Sequence, residues 1–138
     1  MKIVISFFSN LLLLIIALVL GVILLPIGFV VGMIGSFFQR KWYEGFLYMG
    51  KNFLGIAIGI DQLGNVTCAS LFNVTLIHQS GYKFGNPDET ISGVLGKNQR
   101  LETLSLVGRS FNKFLNWIDP NHSIKSIEDD ESIIRKHF

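Results

Sequence analysis

One cysteine, three histidines and three prolines in 138 residues remove several classes of protein at the outset. The lone Cys68 excludes an intrachain disulfide and a cysteine-based zinc site. There is no His-x-x-x-His pair, no Gly-x-Ser-x-Gly elbow and no phosphate-cradling glycine loop, so no metal or cofactor is expected. A surplus of one charge is missing too: 12 basic residues stand against 10 acidic ones, and from Gln79 onward eight of each cancel. A nucleic-acid-binding domain normally carries a strong basic excess, so no nucleic-acid partner is expected.

The most informative absence is local. From Ile3 to Gln39 there is no charged side chain, and Leu, Ile, Val and Phe dominate. Roughly 20 apolar residues cross the hydrocarbon core of a bilayer, so this run exceeds one span and falls short of two with a turn. It also far exceeds the ~7–15-residue core of a signal peptide, and a retained anchor is expected. Twelve Phe and fourteen Gly suit the same class. The lipid bilayer is therefore the first expected partner.

Pro26 removes a backbone donor inside the run and predicts a kink near Val22 to Pro26. The geometric rival is a hairpin turning at Leu25-Pro26-Ile27-Gly28, whose second arm, Phe29 to Phe38, would be too short to return across the membrane. Gly28 and Gly32 form a small-xxx-small face, read either as a docking surface for a second copy or the next segment, or as the ordinary glycine content of membrane helices. Arg40-Lys41-Trp42-Tyr43 then combines cations with aromatics, the composition of a headgroup collar. The positive-inside rule places the carboxyl-terminal part in the cytoplasm.

Phe46 to Ile77 continues the apolar pattern but carries Asp61, Asn65 and Asn73 on one i, i+4 stripe. Such a polar seam is either water-lined or partner-facing within the membrane, or the solvent face of an interfacial amphipathic helix, and the second is expected. Asn65, Asn73 and Asn121 also begin Asn-x-Ser/Thr triplets, read as chance. Further on, Asn86-Pro87-Asp88-Glu89 is a helix-start pattern, with Gly96 as the matching stop and a helix predicted over Pro87 to Leu95. Leu101 to Ile118 predicts an amphipathic helix packed on the domain or lying in the interface. Its apolar side would be Leu101, Leu104, Gly108, Phe111, Leu115 and Ile118, opposite Arg109, Asn112, Lys113 and Asn116. Asp119-Pro120 repeats the capping logic, with His122 in the first turn of a short helix through Ile127. A charged tail follows.

Three blocks, "IDQLGN" at Ile60 to Asn65, "NPDETISGVLGK" at Asn86 to Lys97 and "LNWIDPNHSIKSIE" at Leu115 to Glu128, resemble a group of small, mostly uncharacterised proteins of tailed bacteriophages and prophages. With their spacers they cover about half the chain. The resemblance implies phage origin and membrane association, and it supplies no catalytic residues. The long anchor departs from it, because many relatives of this pattern begin near the Asp-Gln helix.

The expected architecture is all-α. Residues 1–41 form an anchor with its collar, 42–80 an amphipathic or second membrane helix, 81–128 a small helical cap and 129–138 a charged tail. The expected function is that of a non-catalytic membrane interaction or envelope-modifying factor in the inner membrane of an infected bacterium. Alternatives are a virion protein embedded in an internal phage membrane, or a small membrane hydrolase using His122 with Asp88, Glu89 or Asp119, with Ser92, Ser123 and Glu128 as further candidates. Capping and ordinary surface charge account for most of these groups.

Overall fold

A run with no charge to solvate and no strong turn former folds as one helix, α1 (Lys2–Gln39). The computed structural model describes residues 2–39 and 42–127. At 1.5 Å per residue, the 38 residues of α1 make a rod of ~57 Å. Pro26 lies inside it and the helix continues past, so the hairpin alternative does not form. Its described Leu, Ile, Val and Phe side chains are exposed on every side, from Ile3 to Val31 and on to Ile34 and Phe38. Each exposed Leu or Ile forgoes about 1.5–3 kcal/mol of burial, a cost that an aqueous surroundings would not offset. Among the described residues, α1 is the single helix long and apolar enough by itself to cross a membrane, and the two helices at Trp42–Thr67 and Ala69–Thr75 reach that measure only when taken together across their bend.

The second helix, α2 (Trp42–Thr67), lies across a division of the chain into two compact units, Met1–Phe53 and Leu54–Phe138. That boundary falls within a helix, away from the breaks expected near residues 41 and 80. In the N-terminal unit the rings of Phe29 and Phe53 stand 5.7 Å apart, and Gly32 faces the Asn52 side chain. Ser36, Gly45 and Met49 are buried there.

In the C-terminal unit, the predicted continuous helix to Ile77 is corrected. It breaks after Thr67, and α3 (Ala69–Thr75) departs at 76°. The Thr67 hydroxyl donates to the Leu63 carbonyl at 2.9 Å, a back-bond that competes with the helical ladder and bends it. Cys68 at the corner leaves helical geometry with ψ of 8°. Two further helices follow, α4 (Ile91–Arg100) and α5 (Leu106–Ile118), and residues 122–127 are helical. Leu76, Ile77, Phe84, Val94, Leu95 and Leu104 form the core, with Phe72, Ile91 and Leu115 packed against it. A lone antiparallel bridge joins Ile77 to Leu104, and no strand occurs among the described residues.

The predicted ends of α4 are both displaced. Thr90, not Asn86, is the N-cap, its hydroxyl accepting from the Gly93 amide at 2.9 Å. Gly96 is no stop. It lies mid-helix, where a Cβ would collide with the Ser123 backbone, so its function is to admit the 122–127 segment. The fifth helix begins at Leu106 with Ser105 as cap, because Leu101 to Leu104 turns and extends into the bridge.

The orientation of α5 is a further correction. Gly108 and Asn112 are its buried residues, whereas Phe111 and Ile118 are exposed. Gly108 backs onto the Leu76 carbonyl, and the Asn112 amide donates to Gln99 Oε1 at 2.7 Å, which turns these two residues inward while Arg109 and Lys113 stay exposed. The predicted tail 129–138, together with Glu128, lies outside the described residues, as do Arg40 and Lys41.

Candidate functional site

Residues 81–90 contain no regular structure, yet Gly81, Phe84, Glu89 and Thr90 are buried. Buried backbone must be hydrogen-bonded, and here asparagine side chains supply the partners. Asn73 on α3 accepts from the Phe84 amide at 2.9 Å and donates to the Phe84 carbonyl at 3.1 Å. Asn65 on α2, 0 % exposed, accepts from the Gly85 amide at 3.0 Å and donates to the carbonyls of Asn86 and Glu89 at 2.9 and 2.8 Å. From α4, Asn98 accepts from the Tyr82 amide at 2.8 Å and donates to the Tyr82 carbonyl at 2.8 Å. Its remaining capacity is filled by the Thr103 hydroxyl and the Val94 carbonyl. A primary amide offers donor and acceptor at once, so each side chain pairs with the loop as a neighbouring strand would.

Asp61, one turn before Asn65, accepts from the Ser92 amide at 3.2 Å. The stripe Asp61, Asn65, Asn73 is therefore a seam, but it faces the chain's own loop. With Asn65 buried it is not the solvent face of an interfacial helix, which corrects the expectation, and half-buried Asp61 borders an open groove. The same seam explains the displaced start of α4. A helix beginning at Pro87 needs the Glu89 carbonyl for the Gly93 amide. Asn65 holds that carbonyl, and Thr90 takes the amide instead.

Glu89 is 2 % exposed and turned into the module. Its Oε1 lies 2.7 Å from Lys97 Nζ and accepts from the Tyr82 hydroxyl at 2.8 Å, while the ammonium sits 4.7 Å from the Tyr82 ring centre. Burial pushes the Tyr82 hydroxyl above its ordinary pKa, and the Glu89 carboxylate adds to this. Burial works against the Lys97 ammonium, but the bond to Glu89 and its negative charge outweigh it and raise the Lys97 pKa. Only Oε1 is engaged in this way; Glu89 Oε2 is buried with no hydrogen-bond partner among the described residues.

The other predicted residues are dispersed. Asn86 folds an Asx turn by accepting from the Asp88 amide at 3.2 Å, and Pro87 and Asp88 are exposed in that turn. Asp119 closes α5, and its carboxylate meets His122 Nδ1 at 3.2 Å and Lys125 Nζ at 2.8 Å rather than capping the next helix. Hydrogen bonds from Lys125 and His122 hold the Asp119 carboxyl below the usual carboxylate range. Pro120 is exposed. Of the hydrolase set, among the described residues only His122 and Asp119 meet; Glu89 is bound to Tyr82 and Lys97. His122 does line an apolar groove of about 580 Å³ with Ile58, Asp61, Ser92 and Leu115. Trp42 and Tyr43 are exposed, Gly32 faces Asn52, and nothing stands within 4 Å of a Cβ at Gly28. Among the described residues no cluster of three or more His, Cys, Asp or Glu could hold a metal.

Sequence reasoning missed Tyr82, Thr90, Lys97 and Asn98. Thr90 carried a usable signal, a hydroxyl at the cap position immediately before an Ile-Ser-Gly-Val helical turn. Asn98 carried a weaker one, since asparagine inside a helix is costly and calls for a partner. In three comparisons, the chain matches no protein-family model, no curated protein and no solved structure.

Proposed function

We propose that the chain is a small phage-encoded integral membrane protein that acts by contact, as an interaction or envelope-modifying factor of the infected bacterium. The observation that carries the membrane part is α1 itself, ~57 Å of helix with apolar side chains exposed all round. In lipid most of that surface is satisfied, and apart from the site of Pro26 the helix pairs its own interior backbone groups. Pro26 frees the Val22 carbonyl and kinks the span there. Exposed Trp42 and Tyr43 sit at the headgroup level, and the cations at 40 and 41 hold the carboxyl-terminal unit on the cytoplasmic side. Gly28, with open space around it, is the face for a second copy or a partner helix.

The non-catalytic part is supported by how the acids are engaged. Asp61 binds a backbone amide, Glu89 binds Tyr82 and Lys97, and Asp119 binds His122 and Lys125. The phage assignment rests on the three sequence blocks. Alkaline extraction of expressing cells tests the anchor: the chain stays with the membrane pellet, and release into the supernatant would overturn the proposal. Peptide mass spectrometry of purified particles tests the setting, because a host-membrane factor is absent from virions and a capsid-associated protein is not.

A further inference from the structure

The fifth helix turns Gly108, Asn112 and Leu115 inward and leaves six of its large apolar side chains uncovered. Leu106, Val107, Phe111, Phe114, Trp117 and Ile118 are all exposed, with Leu106 at 82 % and Trp117 at 79 %. At 3.6 residues per turn these six positions occupy an arc of about 140°. The rings of Phe114 and Trp117 lie side by side, with centroids 6.3 Å apart. Buried Gly108 and Asn112 occupy the opposite side, and only glycine fits against the Leu76 carbonyl there, so rotating the helix to hide the apolar arc would drive a side chain into that backbone. Six large apolar side chains on one exposed helix face exceed the scatter expected of a solvated surface.

Charge indicates what covers this face. Arg109 and Lys113 are exposed along one edge of the arc, and α5 contains no carboxylate. Two copies packed through α5 would bring like charges together, whereas an anionic lipid surface complements them. We propose that α5 is a lipid-docking helix. Its aromatic arc enters the boundary between headgroups and acyl chains of an anionic bilayer, and Arg109 and Lys113 meet the lipid phosphates. This rests on the membrane assignment above and adds a second, reversible contact with lipid.

The full chain carrying Trp42→Phe keeps Trp117 as its single tryptophan. It is reconstituted into phosphatidylglycerol–phosphatidylethanolamine vesicles, with and without lipids brominated near the headgroup end of the acyl chain. The expected result is flotation with the vesicles and strong bromine quenching of Trp117. Removing the cations, by Arg109→Gln and Lys113→Gln, lowers the docked-to-undocked ratio about five-fold per charge on these vesicles and leaves it unchanged on phosphatidylcholine. Flotation without quenching overturns the docking helix alone. So does unquenched Trp117 accompanied by cross-linking between copies through α5, which assigns the face to self-association. A chain that does not float overturns the membrane assignment itself. Both cations and Trp117 are exposed, and circular dichroism of the variants verifies that the helices persist.

Discussion

The first helix and the loop at residues 81–90 solve one problem in opposite ways. Along α1 the backbone satisfies itself and the side chains are left to their surroundings. In the loop the backbone satisfies little, and side chains from three helices complete it. The contrast separates two origins of structure. A membrane-type helix needs only apolar length, and nearly any apolar residue serves at each position. The loop needs particular amides at particular places, so its tolerance to change is far lower.

Breaking the loop side gives the largest expected effect. Asn65→Asp keeps the shape and the acceptor for the Gly85 amide but strips both donors from two carbonyls and adds a buried charge. A loss of about 3–5 kcal/mol is expected in denaturant unfolding of the C-terminal unit, since each orphaned group costs about 1–3 kcal/mol. By contrast Leu14→Ile in α1, a swap of equal volume, leaves stability and membrane insertion unchanged. Next in size is Lys97→Met, which removes the cation from Glu89. With Lys97 only partly exposed and Glu89 enclosed, about 2–3 kcal/mol is expected from the same measurement.

Much of the architecture was legible in the sequence, for identifiable reasons. An uncharged run of this length favours a long apolar helix over a hairpin with one arm too short to span, and one helix forms through Pro26. The stripe Asp61, Asn65, Asn73 was visible because helical periodicity places it on one face. Its partner was invisible, because periodicity says which residues share a face and nothing about what covers it. The corner at Cys68 is what lets Asn65 and Asn73 address one loop. Two cap signals, Asn86 and Thr90, competed only four residues apart, and the winner was decided by Asn65, more than twenty positions away. For α5 the inward face was set by backbone approach at Gly108, a steric fact that its amphipathic pattern contradicts.

Glycine sharpens the comparison at smaller amplitude. Gly96→Ala forces a methyl group against the Ser123 backbone and is expected to cost about 1–3 kcal/mol. Gly28→Ala enters open space in α1 and is expected to be neutral, or to gain a few tenths of a kcal/mol from helix propensity. Equal effects at the two sites would contradict the distinction.

Titration gives the smallest effects, one at each end of the pH scale. Folding raises the pKa of Lys97 and of Tyr82, so the folded state holds both protons more tightly than the unfolded chain does. Their stabilisation is complete below the unfolded values and fades as pH rises through and beyond ~10. Asp119 is shifted down, so its contribution is present above the usual carboxylate range and disappears as pH falls through its lowered value. Melting temperatures recorded across pH should decline on both limbs. Asp119→Asn should flatten only the acid limb and Lys97→Met only the alkaline one.

Hydrogen exchange at three backbone amides tests the clamp most directly. Tyr82, Phe84 and Gly85 donate to Asn98, Asn73 and Asn65, although they lie in a loop. In the full chain in lipid nanodiscs, these amides should exchange as slowly as those inside α4, and Asn73→Ala should release Phe84 first. Rapid exchange of all three in the wild-type chain, at the rate of an open loop, would contradict the account.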